Sequence, residues 1–336
     1  MLYTSGTTNK PKGVVTTHGI IQSQITTLVE AWEWQKEDYI LNILPLHHVH
    51  GIINVLSCAL WTGACCEFHT KFEAKEVWGA ISSGRLTLFM AVPTIYYKLI
   101  TYWESKNSND QRKMSEAASK LRLMVSGSAA LPVPVLNKWK SITKHTLLER
   151  YGMTEIGMGL SNSYRKERRP GYVGLPLPGV ELRLADKDNN PVDKDMPGEI
   201  QIKGPCVFKE YWQKEEATKK AFTKDGWFRT GDIAMLHNGM YKILGRDSVD
   251  IIKSGGYKIS ALEIEDVLRG HENIDDSAVI GLEDEEWGEV VAACLVSGQK
   301  TMDFDEISKW LRARLPAYKI PRKYILQKAL PRNVLG

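Results

Sequence analysis

The chain has 336 residues, 43% hydrophobic and 25% charged, and its 44 Lys and Arg against 40 Asp and Glu leave a formal net charge of +4. Those fractions exclude a disordered or fibrous protein and give enough chain for about two domains with a large core. The small positive excess is spread out, with no basic block of the kind a dedicated nucleic-acid binder carries.

Leu2-Tyr3-Thr4-Ser5-Gly6 predicts a strand running into a loop. From Thr4 to Gly13 the sequence holds four hydroxyls, two glycines and two lysines. Such a loop suits polyphosphate, because hydroxyls and backbone N–H groups donate to phosphate oxygens and lysine adds a point charge. It is not a Walker A loop, which needs Gly-Lys where Pro11-Lys12 stands. A flexible surface loop would share its composition.

From residue 14 to about 152, strand-like runs alternate with helical patterns. Tyr39 to Leu44, Thr87 to Val92, Leu121 to Val125 and Thr146 to Tyr151 are predicted strands, several of them apolar throughout, as parallel strands covered on both faces are. Helices are expected around Ile21, Ile25, Leu28 and Trp32 and from Pro132 to Ser141. The apolar run Ile52 to Trp61, broken by Asn54 and Ser57, falls short of the ~20 residues of a membrane span and reads as a buried helix. Ser105 to Ser119 reads as a solvated loop or helix edge. The expected fold class over residues 1–170 is α/β, a doubly wound parallel sheet.

Residues 171–246 change texture. Glu181 to Leu184, Glu199 to Ile202 and Met240 to Leu244 alternate polar and apolar between Gly, Pro, Asn and Asp turns, which predicts a β-rich, antiparallel subdomain. Residues 247–336 predict a small α+β domain. Ser260-Ala-Leu-Glu263 is a capping box, Ile264, Val267 and Leu268 share one face, and Gly270 stops the helix. Strands Ser277 to Leu282 and Val290 to Val296 follow, then a helix carrying Ile307, Leu311 and Leu315. Cys58, Cys65, Cys66, Cys206 and Cys294 are odd in number without CxxC spacing, and read as reduced thiols of an intracellular protein rather than a disulfide framework or zinc site.

Four more short motifs carry chemistry: Tyr151-Gly-Met-Thr-Glu155, Thr230-Gly-Asp232, Gly245-Arg246 and Ser254-Gly-Gly-Tyr257. Taken singly, Glu155 and Asp232 read as solvated loop acids and Arg246 as a surface ion-pair partner. Ser254 to Tyr257 reads either as a hairpin turn or as a place where backbone approaches a ligand. In this order, after the Thr4–Gly13 loop, the motifs resemble the ANL superfamily of adenylate-forming enzymes, over essentially the whole chain.

The resemblance implies roles for particular residues. Thr4, Ser5, Gly6, Thr7, Thr8, Asn9, Lys10, Pro11 and Lys12 would hold the β- and γ-phosphates of ATP. Gly127, Ser128 and Ala129 would border the adenine, with Tyr151 stacking, Gly152 allowing close approach and Met153 beside them. Thr154 would contact phosphate and Glu155 would bind Mg²⁺. Asp232 would accept from the ribose hydroxyls, and Arg246 would contact ribose or α-phosphate. Ser254, Gly255, Gly256 and Tyr257 would face the acyl carbon and the pantetheine of coenzyme A. Such enzymes form an acyl-adenylate and diphosphate, then pass the acyl group to the coenzyme A sulfur with loss of AMP.

Leu44-Pro-Leu-His-His-Val-His-Gly51 carries three imidazoles, and Arg150 precedes Tyr151. In these segments the chain resembles the malonate–CoA ligases of that family. An activated dicarboxylate keeps one free carboxylate, which Arg and His are suited to neutralise. Arg150, supported by Ser126 and His50, is therefore the expected substrate clamp; the competing reading pairs Arg150 with Glu149 or Glu155. The alternatives for function are a ligase for another short carboxylic acid, or a non-catalytic nucleotide-binding fragment.

Three departures stand out. Asn9 replaces a glycine usual after the paired threonines, and tolerates left-handed backbone. The hinge residue falls somewhere among Asp247, Ser248, Val249 and Asp250. The ending Leu330 to Gly336 stops before the position of the family's catalytic lysine, and the chain is expected to lack a further N-terminal subdomain. The parent protein is expected in the cytoplasm or mitochondrion.

Overall fold

Alternate side chains of the same strands enter two different cores, which is why those strands are apolar throughout. Ile40, Leu88, Met90, Leu123 and Val125 face one core, while Leu41, Phe89, Ala91 and Met124 face the other. The computed structural model in which this is seen describes residues 1–4, 11–298 and 301–331; Ser5, Gly6, Thr7, Thr8, Asn9 and Lys10 of the loop, and the final Arg332 to Gly336, lie outside the described residues.

The strands belong to a seven-stranded sheet in the order Cys65–Phe68, Tyr39–Asn42, Leu88–Ala91, Leu123–Ser126, Leu148–Met153, Gly157–Ser161, Leu175–Pro176. The first five are parallel and the last two are added antiparallel. Helices Ala74–Ser82, Pro93–Glu104 and Val133–Thr143 cover one face through Trp78, Tyr96 and Trp139. Tyr96 packs edge-on against Trp139 at 5.0 Å and donates its hydroxyl to the Val125 carbonyl at 2.9 Å. Helix His18–Ala31, capped by Thr17 Oγ1 accepting from the Ile20 N–H at 3.2 Å, covers the other face with Leu28 and Trp32. The sheet is doubly wound, as expected.

Two local expectations are corrected. Ser105 to Ser119 is mostly the helix Ser108–Ala118, started by Asn107 accepting from the Asp110 N–H at 3.0 Å. The run Ile52 to Trp61 belongs to a π-helix, His50–Ser57, continued by the α-helix Cys58–Thr62. Ser57 Oγ donates to the carbonyl five residues back, Ile52, at 2.8 Å, which suits the wider turn. Only the first part of that run is buried; Leu60 and Trp61 are exposed.

A half-buried ion pair, Asp38–Arg122, ties the edge of the helical layer to the sheet. Asp38 accepts from Arg122 Nε at 2.7 Å, from Thr87 Oγ1 at 2.7 Å and from the Gln35 N–H at 2.8 Å. Burial alone would raise this carboxyl, yet the Arg122 and neighbouring hydrogen bonds hold it below its ordinary value. Asp38 therefore contributes stability above the unfolded carboxyl range, and loses it as the pH falls through the lowered value. Asp38→Asn is expected to cost about 3 kcal/mol at pH 7, with a gap to the wild type that narrows below about pH 4 in chemical denaturation.

A three-stranded sheet joins Leu2–Tyr3, Gly13–Val15 and Glu210–Tyr211. A four-stranded one runs Glu181–Ala185, Gly198–Lys203, Phe228–His237, Met240–Arg246, the expected β-rich region. The chain divides into two compact units, one of residues 1–191, 200–230 and 236–242, the other of residues 192–199, 231–235 and 243–336.

In the second unit, Gly288–Val296 pairs antiparallel with Asp276–Asp284 and parallel with Lys323–Gln327, a strand the sequence reading did not anticipate. Ser260 caps Ala261–Leu268 by accepting from the Glu263 N–H at 3.1 Å. Ile307 and Leu311 of Phe304–Arg312 reach the same core as Ile264; Leu315 joins it from beyond the helix end. Among the described residues no helix is long and apolar enough to cross a membrane.

Candidate active site

Four groups of side chains and the Asp232–Arg246 ion pair contain the expected functional residues that the structure describes, Ala129 aside. At the mouth of the loop expected to hold polyphosphate, the Thr4 N–H donates to the Lys12 carbonyl at 2.9 Å, and the Lys12 N–H donates to Thr4 Oγ1 at 3.4 Å. These contacts close the ends of the loop. Thr4, Pro11 and Lys12 are its described members. The Lys12 ammonium lies 4.7 Å from the ring centre of Tyr211, whose hydroxyl donates to Glu155 Oε1 at 2.8 Å. Glu155 is buried in the turn after Leu148–Met153, and its carbonyl accepts from the Phe208 N–H at 2.7 Å. Tyr211 thus brings an expected phosphate contact and the expected metal ligand together. Nothing in the sequence singled it out, because a two-residue strand leaves no periodic pattern.

No three His, Cys, Asp or Glu side chains among the described residues are grouped to hold a metal ion. A single buried carboxylate still fits Mg²⁺, which keeps waters and takes other ligands from substrate phosphates.

The second group is built around Arg150, 5% exposed. Its Nη2 donates to Ser128 Oγ at 3.3 Å, and that hydroxyl is 3.2 Å from His50 Nδ1. Burial pushes the Arg150 guanidinium down to about 9. Among the described residues it has no carboxylate partner: Glu155 takes Tyr211, and Glu149 Oε1 takes the Gly171 N–H at 2.9 Å. Burial, then the charge of Arg150, holds the His50 imidazole well below its ordinary value, so it is neutral at pH 7. If Ser128 receives from Arg150 and donates to Nδ1, the His50 proton is assigned to Nε2. Arg150 Nε, His50 Nε2 and Ser126 Oγ are all buried without a hydrogen-bond partner among the described residues. A cation and two neutral polar groups are thereby left ready for an anion.

Gly127 makes this arrangement possible. A Cβ there would lie 2.4 to 2.6 Å from Arg150 Cζ, Nε and Nη1. The obstructing atoms are the end of a flexible side chain, so Gly127→Ala is expected to displace the guanidinium while leaving the melting temperature within about 3 °C. Calorimetry with binding assays checks both halves.

In the third group, Tyr151, Met153 and Thr154 are half-buried. The pairing of Leu148–Met153 with Gly157–Ser161 shifts register between Tyr151 and Gly152. At Gly152 a Cβ would lie 2.1 Å from the Gly157 carbonyl oxygen, so strand pairing itself demands glycine. In the second unit, Arg246 Nε meets Asp232 Oδ1 at 3.0 Å. Asp247, Ser248, Val249 and Asp250 all lie in a turn closed by the Asp250 carboxylate on the Arg246 N–H at 2.8 Å.

The fourth group surrounds Ser254 to Tyr257. Ser254 pairs with Tyr257, and Gly255 and Gly256 have φ of 54° and 82°, a two-residue hairpin turn that needs positive φ twice. Trp287 packs beneath: a Cβ on Gly255 would lie 2.7 Å from its ring. The Arg322 guanidinium covers Trp287 at 4.0 Å, and Tyr257 stacks on Tyr318 at 4.4 Å. Ser254, Tyr257, Trp287, Val291, Tyr318 and Arg322 line a cavity of about 60 Å³. Trp287, Tyr318 and Arg322 were not anticipated, being scattered along the sequence.

Residues 1–212 match the family described as AMP-binding enzyme, and residues 263–336 match its C-terminal domain. The chain belongs to the AMP-binding enzyme family. Within it, the mitochondrial malonate–CoA ligase of Bos taurus is 48% identical over 363 residues, covering 100% of this chain and 62% of the relative. The chain thus spans about three-fifths of the length of the curated relatives it matches. ATP-bound MatB from Rhodopseudomonas palustris superposes with a TM-score of 0.90 at 35% identity, over 100% of this chain and 65% of that one. A malonyl-CoA ligase product complex with methylmalonyl-CoA and AMP gives a TM-score of 0.68 at 38% identity, over 98% of this chain and 71% of that one. This AMP-binding enzyme has the adenylate-forming fold of those neighbours.

Proposed function

We propose that the chain carries the site of an AMP-forming acid–thiol ligase that turns malonate, ATP and coenzyme A into malonyl-CoA, AMP and diphosphate. The observation that carries the substrate is Arg150, a buried guanidinium beside His50 Nε2 and Ser126 Oγ, where among the described residues the guanidinium has no carboxylate partner and the other two atoms have no hydrogen-bond partner. These groups fit the distal carboxylate of a short diacid. The named activities of the relatives support the same reading.

In this reading Thr4 and Lys12, with the loop between them, bind the ATP phosphates. Gly127, Ser128, Ala129, Tyr151, Gly152 and Met153 border the adenine, Thr154 contacts phosphate, and Asp232 and Arg246 bind the ribose. Glu155 holds Mg²⁺, which when bound neutralises phosphate charge. An oxygen of one malonate carboxylate attacks the α-phosphorus and diphosphate leaves, while Arg150 and His50 fix the other carboxylate. The coenzyme A thiolate then attacks the acyl carbon, the acyl C–O bond breaks, and AMP departs with that bond's electron pair on its phosphate oxygen. The chain's part is alignment and charge balance. Ser254, Gly255, Gly256 and Tyr257 face the acyl carbon and the pantetheine of coenzyme A in the second step. The mitochondrial relatives support a mitochondrial compartment.

Equilibrium binding of hydrolysis-resistant sulfamoyl analogues of malonyl- and propionyl-adenylate tests this. The malonyl analogue is expected to bind at least ~10-fold tighter. Equal affinities would replace malonate by a monocarboxylic acid, and no binding of either would remove the adenylate site.

A further inference from the structure

A buried tyrosine in contact with both a cation and a carboxylate can set the position of each. Tyr211 is 6% exposed and 4% exposure is left to Glu155, so neither side chain is steered by solvent. Its strand, Glu210–Tyr211, is registered against Gly13–Val15, with Tyr211 opposite Val14, two residues past Lys12. The Trp212 N–H donates to the Gly13 carbonyl at 2.8 Å, and the Tyr211 N–H donates to Thr218 Oγ1 at 3.0 Å, so the backbone is held on both sides. From that frame the ring face supports the Lys12 ammonium at 4.7 Å, and the hydroxyl reaches Glu155 Oε1 at 2.8 Å.

We propose that Tyr211 is a positioning residue for the metal–triphosphate unit, resting on the nucleotide reading above. Its hydroxyl fixes the rotation of the Glu155 carboxylate, so that the carboxylate is presented to Mg²⁺ without reorganisation. Its ring holds Lys12 at the exit of the phosphate loop by cation–π attraction. The two contacts come from different parts of one side chain, and substitution can separate them. Tyr211→Phe removes the hydroxyl and keeps the ring; Tyr211→Leu removes both.

The test is binding of a fluorescent ATP analogue to the whole chain, titrated with Mg²⁺ and repeated in excess EDTA, with melting temperatures alongside. Tyr211→Phe is expected to raise the Mg²⁺ concentration for half-maximal binding by about 5-fold or more, leaving affinity in EDTA within about 2-fold. Tyr211→Leu is expected to weaken binding in EDTA as well. In a Glu155→Gln background, Tyr211→Phe is expected to have no further effect on the Mg²⁺ response. Wild-type Mg²⁺ dependence in Tyr211→Phe would overturn the inference, as would an equal loss with and without Mg²⁺. A wild-type chain that binds no ATP under either condition would overturn the nucleotide reading itself.

Discussion

Arg150→Leu is expected to erase the preference for a malonyl over a propionyl adenylate, costing the malonyl analogue 10²–10³-fold in affinity and the propionyl analogue less than about 3-fold. The size follows from breaking a buried charge pair, about 3–5 kcal/mol. The asymmetry arises because only the malonyl group carries a second carboxylate for the guanidinium. Stability should move the other way. Burial lowers Arg150 to about 9, so holding it charged disfavours the folded state below that pH. The penalty is relieved only as the pH rises from about 9 toward the ordinary arginine value. The variant is therefore expected to melt a few degrees higher than wild type at pH 7.5, with the gain shrinking in strong alkali. A preference that survives the substitution would end the carboxylate-clamp assignment. A large fall in melting temperature would show Arg150 to be structural.

Gly152→Ala should have the opposite profile, a loss of stability before any loss of selectivity. The new methyl would meet the Gly157 carbonyl oxygen at 2.1 Å and the Met158 Cα at 2.9 Å. Both are backbone atoms of the adjoining strand, so relief requires the two strands to separate where their register already shifts. A cost of about 3–5 kcal/mol, or ~10 °C in melting temperature, is expected. Nucleotide affinity should fall with it, because Tyr151 and Glu155 flank the disturbed turn. A melting temperature within about 2 °C of wild type would show that the bulge absorbs the methyl. Set beside Gly127→Ala, where only a flexible side chain obstructs, the pair separates a glycine required by backbone pairing from one required by a neighbouring guanidinium.

The parallel strands were legible because burial on both faces makes Leu88–Ala91 and Leu123–Ser126 apolar throughout. Helix His18–Ala31 was legible from the spacing of Ile25, Leu28 and Trp32. The π-helix at His50–Ser57 was not, since widening a turn by one residue leaves the same apolar letters and moves only hydrogen bonds. Lys323–Gln327 was missed because Lys323, Gln327 and Ile325 are exposed, so only Tyr324 and Leu326 mark the buried face. In the candidate site, Arg150, His50 and Ser126 were named because the resemblance to malonate–CoA ligases implied a diacid and its second carboxylate needs such groups, and the structure places Arg150 and His50 on a shared hydroxyl. Tyr211, Trp287 and Arg322 could not be named that way. Each gains its place through strand pairing or loop packing between distant parts of the chain.

The pairing of Gly13–Val15 with Glu210–Tyr211 also bears on synthesis. Every strand of the seven-stranded sheet, ending at Pro176, is translated before the strand Glu210–Tyr211 that pairs with Gly13–Val15. The loop between Thr4 and Lys12 is thus translated long before the strand that anchors it, and is anchored late, after a long-range closure of the slowest kind. Pulsed hydrogen exchange during refolding should show the amides of Leu88–Ala91 protected well before that of Val14. Released chains truncated before residue 210 should hold a protected sheet and an unprotected Val14 amide.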